Sequence, residues 1–179
     1  MPPKARITKE MILDTVLDLT RKQGFESVNA RSIAAQLRCS TQPIFTCYAN
    51  MEEMKREFLT FAYAFYENYV QRYGQTFQGD PCLVLPLSYI AFAQQETHVF
   101  QLLFVHDMEL DMAEAKDFYR EAGNGTKAEA FAKALGLPVE QGRRVFLDLF
   151  FYAHGIAVLS AAGKVALQQE TGEKMVASL

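Results

Sequence analysis

Residues 28–54, VNARSIAAQLRCSTQPIFTCYANMEEM, constrain this chain more than any other stretch, because three helical patterns meet in it around one tight turn. The first pattern runs from Ala30 to Leu37 behind Asn29, whose side-chain oxygen suits an N-cap. Ile33, Ala34 and Leu37 give that helix one apolar face. Arg38, Cys39 and Ser40 interrupt the period, and Ser40 is placed to cap a second short helix with Pro43 in its first turn. Ile44 and Tyr48, four apart, turn inward and leave Thr41, Gln42, Phe45 and Thr46 outward. Two short helices joined in this way match a helix-turn-helix. Asn50 and Glu53 then form a capping-box pattern that opens a third helix.

From Met51 that third pattern runs without a breaker to Tyr73, where Gly74 ends it, a length of roughly 35 Å at 1.5 Å per residue. It is too long for a small head alone. The spacing predicts a helix shared between a head, 1–50, and a body, 51–179, with 51–73 as the connection. Before the turn, a helix from Thr8 to Gln23 closed by Gly24 is expected to bury Ile12, Val16 and Leu19, with Met11 and Thr15 at the edge of the stripe. Phe25 and Val28 complete a three-helix core.

With the segment from Thr8, the pieces ILDTVLDLTRKQGFESVNARSIAAQL, CSTQPIF and YANMEEMKREFL resemble the N-terminal DNA-binding domain of the TetR family of transcriptional regulators. The resemblance covers about the first third of the chain. It implies an all-α protein in which a three-helix helix-turn-helix head joins a helical ligand-binding and dimerisation body through the long shared helix. It further implies a DNA-reading role for Arg31, Thr41, Gln42, Pro43, Phe45 and Thr46. A guanidinium such as that of Arg31 can bond guanine O6 and N7 together, and Gln42 can read adenine the same way. Ser40 and Thr46 suit phosphates better than bases. Phe45 stands where the family often has tyrosine, Met51 where it often has lysine, and Arg38 where it often has glycine. Binding would then lean on Lys4, Arg6, Arg38 and backbone N–H groups. The charge balance agrees with a reading head: residues 1–60 carry nine Lys and Arg against seven Asp and Glu, and the remainder nine against fourteen.

The linker GQTFQGDPC, residues 74–82, precedes helices expected from about Pro81 or Leu83 to Gln95, from Glu96-Thr97 onward, from Thr126 to Leu135, from Pro138 to near Gly163, and from Lys164 to about Met175. No strand pattern or repeat occurs. Aromatic residues crowd the body, and Tyr66, Tyr69, Tyr89, Phe92, Phe104, Phe118, Tyr119, Phe150 and His154 are the expected lining of a site for a small apolar or aromatic effector. The alternative for each is an ordinary core position. Phe146, Leu149, Val158, Ala161 and Ala162, on the helix expected from Pro138 to near Gly163, are the expected surface of a homodimer, the last two helices of each copy making a four-helix bundle.

No nucleophile, base and orienter stand together, so catalysis has no support, and no cofactor is expected. His98, His106, Asp107, Glu109 and Asp111 lack the spacing of a metal site. Cys39, Cys47 and Cys82 are an odd count without ligand spacing, as in a reduced cytoplasmic protein. A redox pair of Cys39 and Cys47 is the alternative. No apolar run approaches the roughly 18–20 residues of a membrane span, and MPPKARITKE lacks a signal-peptide core. The expected partners are therefore a near-palindromic double-stranded operator, a small effector and a second copy, with repression as the usual role in the family. The other reading is a dimeric helical module that binds a small molecule or protein while its head no longer reads DNA.

Overall fold

The computed structural model describes residues 7–108, 110–120, 123–167 and 169–178. The fold is all-α, and no strand occurs among the described residues. Among the described residues nine α-helices follow in order: α1 Lys9–Gln23, α2 Ala30–Gln36, α3 Gln42–Cys47, α4 Met51–Thr76, α5 Val84–Gln95, α6 Thr97–Gln101, α7 Asn124–Ala134, α8 Val139–Ala161 and α9 Gln169–Ala177. Short 3-10 turns occupy Phe25–Ser27, Pro81–Leu83 and Ala115–Arg120, and a π-helical turn, Leu102–His106, continues α6. Two compact units divide the chain within α4 and again at both ends of α6 and its π turn: 1–67 with 96–106, and 68–95 with 107–179.

In the first unit, the Thr8 hydroxyl accepts from the Met11 N–H at 3.2 Å to start α1, and Gly24, at φ 83°, lets its N–H close the helix on the Thr20 carbonyl. The apolar stripe of α1 then has one place to go. Ile12 and Val16 are fully buried together with Ile33 of α2, Ile44 of α3 and Phe58 of α4. Phe58 stacks on Phe25 at 5.6 Å and lies 6.5 Å from Phe61. Segment 96–106 joins this unit through an ion pair: Arg21 Nε and Nη2 each meet the Glu96 carboxylate at 2.7 Å. His98 Nδ1 lies 3.2 Å from the Arg21 carbonyl, and Tyr63 donates its hydroxyl proton to the Leu103 carbonyl at 3.2 Å.

In the second unit, α8 packs between α5 and α7. Phe118, Ala128, Phe146 and Leu147 form one core cluster in it, with Leu85, Leu110, Met112, Tyr119, Phe131 and Phe150 packed around them. The close approach of α7 and α8 depends on Gly142: a Cβ there would lie 2.1 Å from that of Ala132. α9 packs on α5 and α8.

Several helix ends differ from the expectation. α4 passes through Gly74 to Thr76, because an interior glycine costs only about 1 kcal/mol and Phe77 extends the order by stacking on Tyr73 at 5.7 Å. α3 opens after Thr41 without a side-chain cap, so Ser40 does not cap it. α7 begins at Asn124 behind Gly123, which sits at φ 85°. The last helix begins at Gln169, not Lys164, because α8 ends in a glycine motif. Gly163, at φ 66°, turns the backbone so that its own N–H and that of Lys164 cap the Ser160 and Leu159 carbonyls at 2.9 Å. By length and composition α8 is also long and apolar enough to cross a membrane, contrary to the reading of uninterrupted runs. Such a run stops at Asp148, whereas the helix continues past it; the core helix of a globular body meets the same criterion.

Candidate nucleic-acid interface and aromatic body

The geometry of the head is set by how α2 begins and ends. Asn29 Oδ1 accepts from the Arg31 and Ser32 N–H groups at 3.0 Å, and Ser32 Oγ accepts from the Asn29 N–H at 2.9 Å. This reciprocal cap fixes the first turn of α2, and the Arg31 side chain leaves that turn exposed. At the other end the Cys39 N–H reaches the Ala34 carbonyl at 3.0 Å and the Arg38 N–H that of Ala35 at 3.2 Å. That closure requires a left-handed residue, and Arg38 supplies it at φ 51°.

A left-handed non-glycine residue costs roughly 1–2 kcal/mol. Arg38→Gly should therefore raise stability by about 0.5–1 kcal/mol after the entropy of a freer unfolded chain is counted, read as a higher urea midpoint. If the Arg38 guanidinium meets a phosphate, the same variant should lower the salt slope of DNA affinity by about one.

α3 is anchored by Ile44 and Tyr48, both buried. Burial pushes the Tyr48 phenol well above its usual range, and the Lys9 ammonium, itself paired with Glu57 at 2.6 Å, lies 4.5 Å from the Tyr48 ring centroid. With that face fixed, Gln42, Phe45 and Thr46 are exposed, as are Ser40 and Arg38, while Thr41 and Pro43 are half-buried. The Thr46 hydroxyl donates to the Gln42 carbonyl at 3.0 Å. Lys4 and Arg6 lie outside the described residues.

The residues expected to line an effector site fall into two groups. Tyr66 and Phe104 belong to the first unit, with ring centroids 4.9 Å apart, and burial pushes the Tyr66 phenol up. The other seven belong to the second. There the Tyr89 hydroxyl lies 2.9 Å from His154 Nδ1, Phe150 stacks on the His154 imidazole at 5.6 Å, and Phe118 lies 4.7 Å from Phe150. Tyr69 and Phe92 make an edge contact at 5.1 Å. Tyr119 has a packing task, since its hydroxyl donates to the Arg143 carbonyl at 2.6 Å and its ring lies 5.6 Å from that guanidinium. Arg143 itself, paired with Glu129 and Glu140, has no sequence signal that marks it. Tyr63, which holds the π turn, is likewise legible only as one aromatic among many.

Burial lowers the His154 pKa below the ordinary imidazole value. Above about pH 6.5 the ring is neutral in both the folded and unfolded chains, and stability is at its full value. As pH falls below that point the unfolded chain takes up the proton first, so stability declines until the lowered folded-state value is passed. The urea midpoint should fall between about pH 7.5 and about pH 5, and His154→Gln should flatten that part of the profile.

Of the expected dimer residues, Phe146 and Leu149 are buried within the second unit itself, Val158 and Ala161 are half-buried, and Ala162 is exposed. The exposed face of α8 carries Phe151, Gly155 and Leu159, four residues apart, with Phe151 50% and Leu159 48% exposed. A Cβ at Gly155 would meet nothing within 4 Å. Among the described residues no three His, Cys, Asp or Glu side chains converge as a metal site, and His106 Nδ1 lies 3.8 Å from the Glu26 carboxylate. The three cysteines are free and half-buried.

No protein-family model and no curated protein matches the chain. A solved structure does: that of a TetR-like transcriptional regulator from Rhodococcus sp. RHA1, at a TM-score of 0.66 and 13% identity, over 99% of this chain and 94% of that one. The fold is TetR-like. In this fold the capped α2, the left-handed turn and α3 make up the helix-turn-helix, and the Tyr89–His154 couple lies between α5 and α8.

Proposed function

We propose that this protein is a DNA-binding transcriptional regulator that works as a homodimer in the cytoplasm. The observation that carries the reading is the head. Its second short helix buries Ile44 and Tyr48 and turns Gln42, Phe45 and Thr46 to solvent, behind a turn whose ends are tied by backbone hydrogen bonds. A major groove admits one such helix. Arg31, held on the first turn of α2, reads a guanine, and Gln42 reads an adenine with Thr41, Pro43 and Phe45 beside it; Ser40, Thr46 and Arg38, with Lys4 and Arg6, meet the phosphates around them.

The dimer forms on the face of α8 that carries Phe151, Gly155 and Leu159, continued by Val158, Ala161 and Ala162. An apolar helix face with glycine at its centre suits close packing against a copy of itself. Two heads then sit about one DNA turn, ~34–36 Å, or a multiple of that apart. The effector is a small apolar or aromatic molecule bound among Tyr89, Phe118, Phe150 and His154. It acts by favouring a conformer whose heads no longer match one face of the duplex, so that DNA is released and repression lifted.

Selection of random duplexes by the purified protein at near-physiological salt tests the reading. A near-palindromic motif is the expected result. No enrichment, at low salt and after removal of co-purified ligand, overturns it. That outcome would favour the second reading, a dimeric helical module whose head does not read DNA, for which Phe45 and Met51 speak because neither offers a phosphate partner.

A further inference from the structure

The outward face of α3 is unusual chemically. Among the described residues Phe45 is the large apolar side chain on it, and it stands 50% exposed while Ile44 beside it is fully buried. Its neighbour Thr46 commits its hydroxyl proton to the Gln42 carbonyl of the same helix at 3.0 Å, which leaves that oxygen an acceptor only. Of the groups on this face, only the Gln42 amide is a free-standing hydrogen-bonding side chain of the bidentate kind. The centre of the face is therefore apolar carbon, on the element that the proposed function places in the major groove.

Base edges in that groove present hydrogen-bond donors and acceptors, with one apolar group among them, the 5-methyl of thymine. A phenyl ring has no partner on guanine, cytosine or adenine edges and a good one on thymine. It would gain nothing from a phosphate. We infer that Phe45 determines specificity by packing against the thymine 5-methyl group at one position of each half-site. The inference rests on the proposed DNA-reading function and adds to it the chemical group that this side chain recognises. The dimer would repeat the contact, so the same thymine should recur in both half-sites.

The test uses the full-length protein and the duplex enriched by selection. Each thymine of one half-site is replaced in turn by deoxyuridine, which removes the methyl and leaves every hydrogen-bonding group in place. Affinity should fall roughly three- to tenfold at one position, the scale of a single buried methyl, and remain unchanged at the others. A cytosine at that position should bind poorly, and 5-methylcytosine should recover part of the loss. Phe45→Ala should bind more weakly and become indifferent to deoxyuridine, whereas Phe45→Leu, which keeps an apolar side chain, should retain part of the sensitivity. Wild-type protein indifferent to every replacement overturns the inference, as does full methyl sensitivity in Phe45→Ala. Should Phe45→Ala not fold, the wild-type scan and Phe45→Leu decide the matter. Failure of selection to enrich any duplex would strike the proposed function itself, and is thereby distinct from a motif that forms without methyl dependence.

Discussion

Gly142→Ala should unfold the protein at a temperature roughly 5–10 °C below the unsubstituted chain, a cost of about 2–3 kcal/mol. The added Cβ would lie 2.1 Å from the Cβ of Ala132 and 2.6 Å from its Cα. Those contacts involve a backbone atom and the root of a side chain, so no rotamer change relieves them. α7 and α8 must separate, and the packing of Phe118, Ala128, Phe146 and Leu147 loosens with them. Helix propensity works the other way, since alanine is favoured over glycine by about 1 kcal/mol in a helix interior. A destabilised Gly142→Ala therefore reports the clash, and a stabilised one would show that the helices move apart freely. Ala132→Gly in the same chain should restore part of the loss, because it removes the nearest atom and leaves the 2.6 Å contact. Thermal unfolding of the two single variants and the double variant measures the coupling.

Arg31→Ala should cost about 1–3 kcal/mol on the selected site, a loss of roughly fivefold to 150-fold, and relax one base position. The reason lies in the cap of α2. Asn29 takes the Arg31 and Ser32 N–H groups, so the backbone under Arg31 is rigid and its exposed guanidinium starts from a fixed point. A bidentate contact to guanine needs that fixity; a phosphate contact tolerates much more variation. Equal loss on selected and random duplexes, with the salt slope reduced by about one, would reduce Arg31 to a phosphate contact. The substitution is on the surface and leaves the cap intact, so its effect on folding should stay within about 0.5 kcal/mol. On the proposed reading, Arg31 and Phe45 would specify two independent base positions, one polar and one apolar.

Local signals carried far in the head. Thr8, Asn29 and Asn50 each precede a helix that their side chains cap, with Asn50 Oδ1 accepting from the Glu53 N–H at 2.8 Å. The return bond of that last box goes to the Ala49 N–H at 2.7 Å, one residue before the cap. Caps are legible because donor and acceptor lie within three or four residues of each other. Where the partner is remote, such signals mislead. Ser40 has a capping side chain, yet α3 opens one residue later, after Thr41, and Gly74 has a breaker's chemistry inside a helix that Tyr73 and Phe77 hold together by stacking.

By itself the sequence determined the all-α architecture, the reach of α4 beyond a small head, and the inward and outward faces of α2 and α3, because period and capping are properties of neighbouring residues. Tertiary structure alone decided what each face meets. Periodicity placed Phe146, Leu149 and Val158 on an apolar helix without saying which neighbour would cover them. The packing of α5 and α7 buries the first two and leaves Phe151 and Leu159 outside. Likewise the aromatic residues read as one lining are divided, Tyr66 with Phe104 in one unit and Tyr89 with Phe150 and His154 in the other. Helical spacing fixes direction around one axis, and only the packing of several axes decides which directions converge.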